Sequence, residues 1–309
     1  MTESVGSAPG VIESQAIAPS RAAFGLTDVL LFAMAMIWGI NFVVVKYATH
    51  IFSPVAFTGL RVGTVAIFLV AFAFSRGGFS LRRADVIALL LLGVLGNGLY
   101  QLFFVHGVAR TRAGNAALIV GAAPAFIALV SRARGLERVK KMTLAGIGLS
   151  VIGVALVIAG SARPSNGEVT LLGSVLVFFG VLSWTLYTVL LQPYTKRIQV
   201  VQLSAITMIG GAVPLLVAST PAIIATDWSH VGVGGWLALF YSSIVSMGIA
   251  YLFWYRGLRI LGPTRTAVYS NLQPIIALLV AWAFLGENPT IFQGVGAATI
   301  IAGVFLTRA

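Results

Sequence analysis

Ten stretches of this chain are apolar over roughly 18 to 25 residues, the length at which an α-helix crosses the hydrocarbon of a bilayer. They lie near residues 28–48, 53–75, 85–108, 113–131, 142–160, 169–192, 200–222, 232–256, 264–285 and 290–307. Short connections leave no room for a soluble domain between them. None of the runs alternates with a period of two, which excludes a β-barrel. Composition makes the same demand. The 309 residues are 59% hydrophobic and 9% charged, against about 25% charged in a soluble protein. Twenty basic and eight acidic side chains are too few to cover a water-soluble globule. The expected fold is an all-α membrane protein of ten transmembrane helices, preceded by a disordered cytoplasmic tail over residues 1–27, rich in Ser, Ala, Gly and Pro.

Charge sets the expected orientation. If the N-terminus is cytoplasmic, the inner segments hold Arg21, Arg76, Arg82, Arg83, Arg132, Arg134, Arg138, Lys140, Lys141, Lys196, Arg197, Arg256, Arg259, Arg265 and Arg308. The outer segments hold only Lys46, Arg110, Arg112 and Arg163. This is a strong positive-inside bias, and it requires an even number of spans with both termini cytoplasmic, in a bacterial inner membrane. It also accounts for the net charge of +12 without nucleic acid as a partner.

The chain repeats itself. At an offset of 150, Gly107 overlays Gly257, Ala117 overlays Ala267, Pro124 overlays Pro274, Glu137 overlays Glu287, Gly146 overlays Gly296 and Gly153 overlays Gly303. Earlier in the halves the offset is 146, and Trp38 overlays Trp184. The repeats are expected over residues 28–160 and 161–309, with five spans in each. Five is odd, so two copies of one fold must face opposite ways across the bilayer. The loops agree: the fourth connection is strongly basic, and its mate between spans nine and ten has no basic residue. Inverted repeats recur in secondary transporters, where two equivalent halves exchange inward- and outward-open shapes.

These features carry a resemblance. The segments "WGINFVVVKYA" from Trp38 and "SPVAFTGLRV" from Ser53, with Arg61 inside, are followed in the second half by "YLFWYRGLRILGPTRTAVYSNLQPIIALLVAWAFLGENPTIFQGVGAATIIAGVFL" from Tyr251. In order and spacing, over roughly residues 28–307, the chain resembles the EamA family of the drug/metabolite transporter superfamily. It departs from the family pattern at "SRARGLERV", where Arg132 and Arg134 shorten the fourth span. The resemblance implies movement of small metabolites driven by proton-motive force or exchange, often export of amino acids or related compounds. A subset of the family imports vitamins or nucleotide-like solutes, which is the alternative reading.

Polar side chains in hydrocarbon are costly and mark function by default. Arg61, about two turns into the second span, is a candidate cationic site for a carboxylate, or else an arginine reaching headgroups or backbone carbonyls. Trp38 and Asn41 share a helix face at i, i+3, as do their mates Trp184 and Tyr187. They line a cavity for an amphipathic or aromatic solute, or pack the helices together. Asn97, Tyr100 and Gln101 cluster in the third span. Tyr251, Trp254 and Tyr255 cluster in the eighth, where an interfacial aromatic belt is the alternative; Tyr251, the mate of Gln101, is expected to face the cavity. Asn271 and Gln273 precede Pro274. Pro274 and its mate Pro124 break helices and are candidate hinges for alternating access, or static kinks.

Several chemistries are unsupported. The chain has no cysteine, and its histidines, His50, His106 and His230, are scattered, so no metal or cofactor is expected. No Gly-rich phosphate loop, HExxH or GxSxG motif points to an enzyme. No carboxylate falls at mid-span; Glu137 and Glu287 are expected to cap helix ends. The expected partners are a small-molecule substrate and lipid, with the protein monomeric or homodimeric.

Overall fold

The computed structural model describes residues 25–79, 81–136, 141–161 and 171–308. Residues 1–24 of the expected tail, Glu137, Arg163 and Glu168 lie outside them. Among the described residues ten helices follow in order: α1 (Leu26–Ala48), α2 (Pro54–Ser75), α3 (Arg83–Arg110), α4 (Ala113–Ala133), α5 (Lys141–Ser161), α6 (Leu171–Arg197), α7 (Val200–Ile224), α8 (Val233–Ile260), α9 (Pro263–Leu285) and α10 (Ile291–Arg308). Eight are long and apolar enough to cross a membrane, and α5 and α10 carry the shorter apolar stretches Leu144–Ala159 and Ile291–Gly303. No strand occurs among the described residues. The helices outrun the apolar marks where charge permits. α6 continues to Arg197 and α8 to Ile260, because long basic side chains keep helical backbone while their heads reach the interface. Arg197 does so in an ion pair with Asp85 at 2.7 Å.

Contacts between the halves fix their relative direction. In α5 and α10, Gly153 abuts Ile300, Gly296 abuts Val157 and Gly303 abuts Ser150. One number rises as the other falls, so these counterparts run antiparallel. The same holds for α2 and α7, where Gly59 meets Ser219 and Gly63 meets Leu216, and for α4 and α9, where Gly114 meets Leu278 and Gly121 meets Pro274. The architecture is therefore two inverted five-helix repeats. Small residues govern this packing because lipid removes the hydrophobic drive between helices, leaving close van der Waals approach to hold them. A Cβ at Gly153 would lie 2.9 Å from the Ile300 amide nitrogen, so the α5–α10 seam tolerates only glycine there.

Four spans are irregular, in matched pairs. In α3, residues Val94–Leu99 form a π-helical segment, and in α8 the segment Tyr241–Ile249 does the same; an offset of 150 superimposes their C-terminal ends, and the second segment starts three residues earlier. α4 breaks at Ala122, just before Pro124, and α9 tightens to a 3₁₀ turn over Tyr269–Leu272, just before Pro274. These are the kinks expected of the two prolines. Irregular backbone at membrane depth persists where it is buried in protein or lines a cavity, and the breaks of α4, α8 and α9 reach the centre, where Ala123, Ser246, Met247 and Ser270 line one cavity.

Glu287 is the cap its position implied. Its Oε1 accepts from the Ala113 amide at 3.1 Å and its Oε2 from the Gly114 amide at 3.3 Å, placing a carboxylate on the positive end of α4.

Candidate functional site

At the junction of the halves Trp38, Trp184, Tyr251 and Trp254 pack as one aromatic layer. Trp38 meets Trp184 edge-on with centroids 5.8 Å apart, Tyr251 at 5.6 Å and Trp254 at 5.5 Å. Tyr100 joins through Trp184 at 5.0 Å. Edge-to-face and tilted pairs at these separations are favourable beyond their burial. Trp38 and Trp184 are counterparts that touch each other. So are Gln101 and Tyr251: the Gln101 amide donates to the Tyr251 hydroxyl at 2.8 Å across a separation of 150 residues. These pairs mark the pseudo-twofold axis.

A cavity opens beside this layer, lined by Trp38, Asn41, Arg61, Tyr100, Gln101, Trp184, Tyr251 and Gln273 among the sequence candidates. Phe42, Phe104, Val120, Ala123, Ile127, Ser246, Met247, Trp254, Ala267 and Ser270 complete the wall. No Asp or Glu lines it. Its free volume is about 30 Å³, enough for water and too little for a metabolite. The conformation is contracted.

Arg61 is 1% exposed. One guanidinium nitrogen, Nη2, reaches the Ser242 carbonyl at a long 3.5 Å. The charge rests over Phe57 and Phe104, 5.8 and 5.9 Å from the ring centres. Nε and Nη1 have no hydrogen-bond partner in the protein. The acceptors Asn41 Oδ1 and Gln101 Oε1, on the same wall, have none either. The π-helical segment of α8 supplies carbonyls to this region: besides Ser242, the Ser246 carbonyl accepts from the Trp38 indole at 2.9 Å. Arg61 thus binds backbone weakly and faces the cavity, rather than snorkelling to a headgroup.

Three sequence candidates fall elsewhere. Asn97 is fully buried against Gly211, beyond the cavity wall. It lies one helical turn before Gln101, at the depth where α3 packs on Gly211 of α7, and that turn keeps it out of the cavity. Tyr187 packs behind Trp184 at 5.4 Å; its hydroxyl bonds that of Tyr255 and donates to Thr207 Oγ1 at 3.3 Å. Asn271 lines the α9–α10 side, because two residues along a helix it points almost opposite to Gln273. The interfacial-belt alternative for Tyr251, Trp254 and Tyr255 is overturned: they are 3%, 0% and 0% exposed, deep in the protein. Trp254 is a wall residue that the belt reading obscured. Its mate Phe104, a second aromatic on the same wall, was the available signal.

Comparison with known proteins decides the family. The EamA-like transporter family model matches twice, over residues 25–159 and 171–309. The chain belongs to the EamA-like transporter family. It is 30% identical over 280 residues to YyaM, an uncharacterized transporter of Bacillus subtilis (strain 168), covering 89% of this chain and 91% of that one. It is 28% identical over 292 residues to YedA, an uncharacterized inner membrane transporter of Escherichia coli (strain K12), covering 89% and 88%. A solved crystal structure shares the fold, with a TM-score of 0.65 over 91% of this chain and 95% of the other at 18% identity. This EamA-like chain is therefore a multi-pass membrane transporter, which binds a small-molecule substrate within lipid.

Proposed function

We propose that this transporter is a secondary-active or exchange-type carrier of the bacterial inner membrane, with both termini cytoplasmic, that exports a small amphipathic or aromatic metabolite such as an amino acid by alternating access. The two repeats, over residues 28–160 and 161–309, exchange conformations, with the breaks at Pro124 and Pro274 as the hinges. One observation carries the reading: a buried guanidinium with unpartnered donors faces an aromatic cavity on the axis between two antiparallel halves. A cation in such a wall attracts a carboxylate, the rings accept an apolar body, and the unpartnered amide oxygens of Asn41 and Gln101 suit an ammonium group. The contracted cavity fits a stage of the cycle with no solute bound.

Purified protein in proteoliposomes, assayed for counterflow against amino acids and related carboxylates, tests this. Counterflow of at least one solute is expected, reduced at least tenfold in Arg61→Gln. Absence of counterflow for the whole panel, with folded protein verified, refutes the carrier. Rescue of an auxotroph at low external nutrient, without resistance to toxic analogues, reverses the direction to import.

A further inference from the structure

The pseudo-twofold axis makes each hydrogen bond near the cavity a statement about its counterpart. An offset of 146 relates α7 to α2, as one pair of contacts verifies. Gly98 of α3 lies against Gly211 of α7, and the counterpart positions, Gly248 of α8 and Val65 of α2, lie against each other. By this rule Tyr187 corresponds to Asn41 and Thr207 to Arg61.

Between the aromatic layer and the face on which α1 begins, Tyr187 is tied to Thr207 of α7 and Tyr255 of α8. All three side chains are fully buried. Between the layer and the opposite face, the counterpart groups are apart: Asn41 Oδ1 is an unpartnered acceptor and Arg61 holds two unpartnered donors. Asn41 and Arg61 line the cavity, whereas Tyr187 and Thr207 do not. The chemistry of the two pairs is complementary but reversed in reach. A long tyrosine meets a short threonine on one side; a short asparagine stands opposite a long arginine on the other.

We infer that these are the two alternative closures of the carrier. The Tyr187–Thr207–Tyr255 cluster seals the α1-starting side in the conformation described. In the reciprocal conformation that cluster parts, and Arg61 donates to Asn41 Oδ1 to seal the other side. Because the halves are inverted copies, exchanging their conformations turns one pattern of contacts into the other. Arg61 then serves twice, facing the solute in one state and latching the protein in the next. This inference deepens the carrier reading above and rests on it.

The native chain has no cysteine, so paired spin labels can be placed cleanly in full-length protein in lipid nanodiscs. Labels at Gln199→Cys and Ile260→Cys span the tyrosine-sealed side; labels at His50→Cys and Val233→Cys span the other. Tyr187→Phe, which keeps the ring and removes the hydroxyl, is expected to lengthen the first distance and shorten the second. The expected change in the population ratio is at least about fivefold, the worth of one hydrogen bond, because the hydroxyl makes two. Asn41→Ala is expected to shift the ratio the opposite way. Should either variant not fold, Thr207→Val substitutes for the first and Asn41→Leu for the second. Shifts in the same direction, or no shift from either, overturn the two-closure inference. The distances are read without solute, so a lack of counterflow with opposed shifts would refute the carrier reading alone.

Discussion

Arg61→Met should make the protein more stable and, if the proposed function holds, abolish stabilisation by a carboxylate. The substitution keeps the apolar stem and deletes the charge. In the native protein two buried donors, Nε and Nη1, lack partners, and each such group costs about 1–3 kcal/mol. Against that stand the contacts with Phe57 and Phe104, at 5.8 and 5.9 Å. Near the outer limit of a cation–π interaction, these contribute about 1 kcal/mol each. The Ser242 carbonyl at 3.5 Å is too distant to add much. The balance leaves the guanidinium destabilising by about 2 kcal/mol, within a range of about 0–4 kcal/mol, or several degrees of melting temperature for a chain of this size. Intrinsic fluorescence reports the transition, since Trp38, Trp184 and Trp254 surround the cavity. The expected result is a melting temperature raised by about 2–8 °C, and loss of any stabilisation by solutes that the wild type shows through mass action. A variant that melts below the wild type, or one that keeps a carboxylate-dependent shift, refutes the reasoning. The first outcome would mean the charge is satisfied where it sits, and the second that the carboxylate binds elsewhere.

Other consequences are more local. Glu287→Gln weakens the cap on α4 and should cost about 0.5–2 kcal/mol, read as faster amide exchange at Ala113 and Gly114. Gly211→Ala drives a Cβ into the Asn97 backbone and should lower folded yield in fluorescence-detected size exclusion, at a cost of about 2 kcal/mol or more. Gly148→Ala, with open space around it, should be neutral. In the α7–α8 loop, hydrogen bonds from Ser229 and then His230 hold the Asp227 carboxyl below its ordinary value of 3.8. Its contribution to loop order is therefore present above the ordinary carboxylate range and lost as pH falls through the lowered value. Carbon NMR titration of the Asp227 carboxyl should move up in pH in Ser229→Ala and, by less, in His230→Ala.

The architecture was readable because lipid imposes it twice. Hydrocarbon thickness sets run length, and odd-numbered duplication sets inversion; both leave marks that side-chain packing cannot erase. Paired prolines in α4 and α9 announced paired breaks for the same reason, since proline acts on its own backbone. The site was readable where the facing of a side chain, rather than its depth along the helix, decides what it meets. Trp38 and Asn41 share a face at i, i+3 and both reach the cavity. Asn97 and Gln101 share one at i, i+4 as well, but a turn of depth separates them: Asn97 packs on Gly211 and only Gln101 reaches the cavity, and spacing alone did not locate the π-helical segment that carries Asn97. Its trace in the sequence is faint: Gly96 and Gly98 flank Asn97, and Ser242, Ser243 and Ser246 mark the matching segment of α8. Asn271 was separable from Gln273 by spacing alone, because residues two apart on a helix face away from each other.

Which positions kept their symmetry also explains how an inverted pair can become a directional device. Residues on the axis meet their own counterparts, so they constrain one another. Trp38 and Trp184 remain identical, and Gln101 and Tyr251 remain hydrogen-bond partners. Residues off the axis meet something else, and there the halves have diverged: arginine against threonine, asparagine against tyrosine. A carrier with identical halves would have two isoenergetic states and a site with no preferred face. Placing the one buried charge of the cavity wall off the axis, at Arg61, breaks that degeneracy. The charge then lies nearer one mouth than the other, and an anionic group entering from that side meets it first. Moving the charge to the counterpart position, with Arg61→Thr and Thr207→Arg together, should therefore invert the preferred resting conformation in the spin-label distances, whereas a purely structural arginine would yield an unfolded protein or an unchanged one.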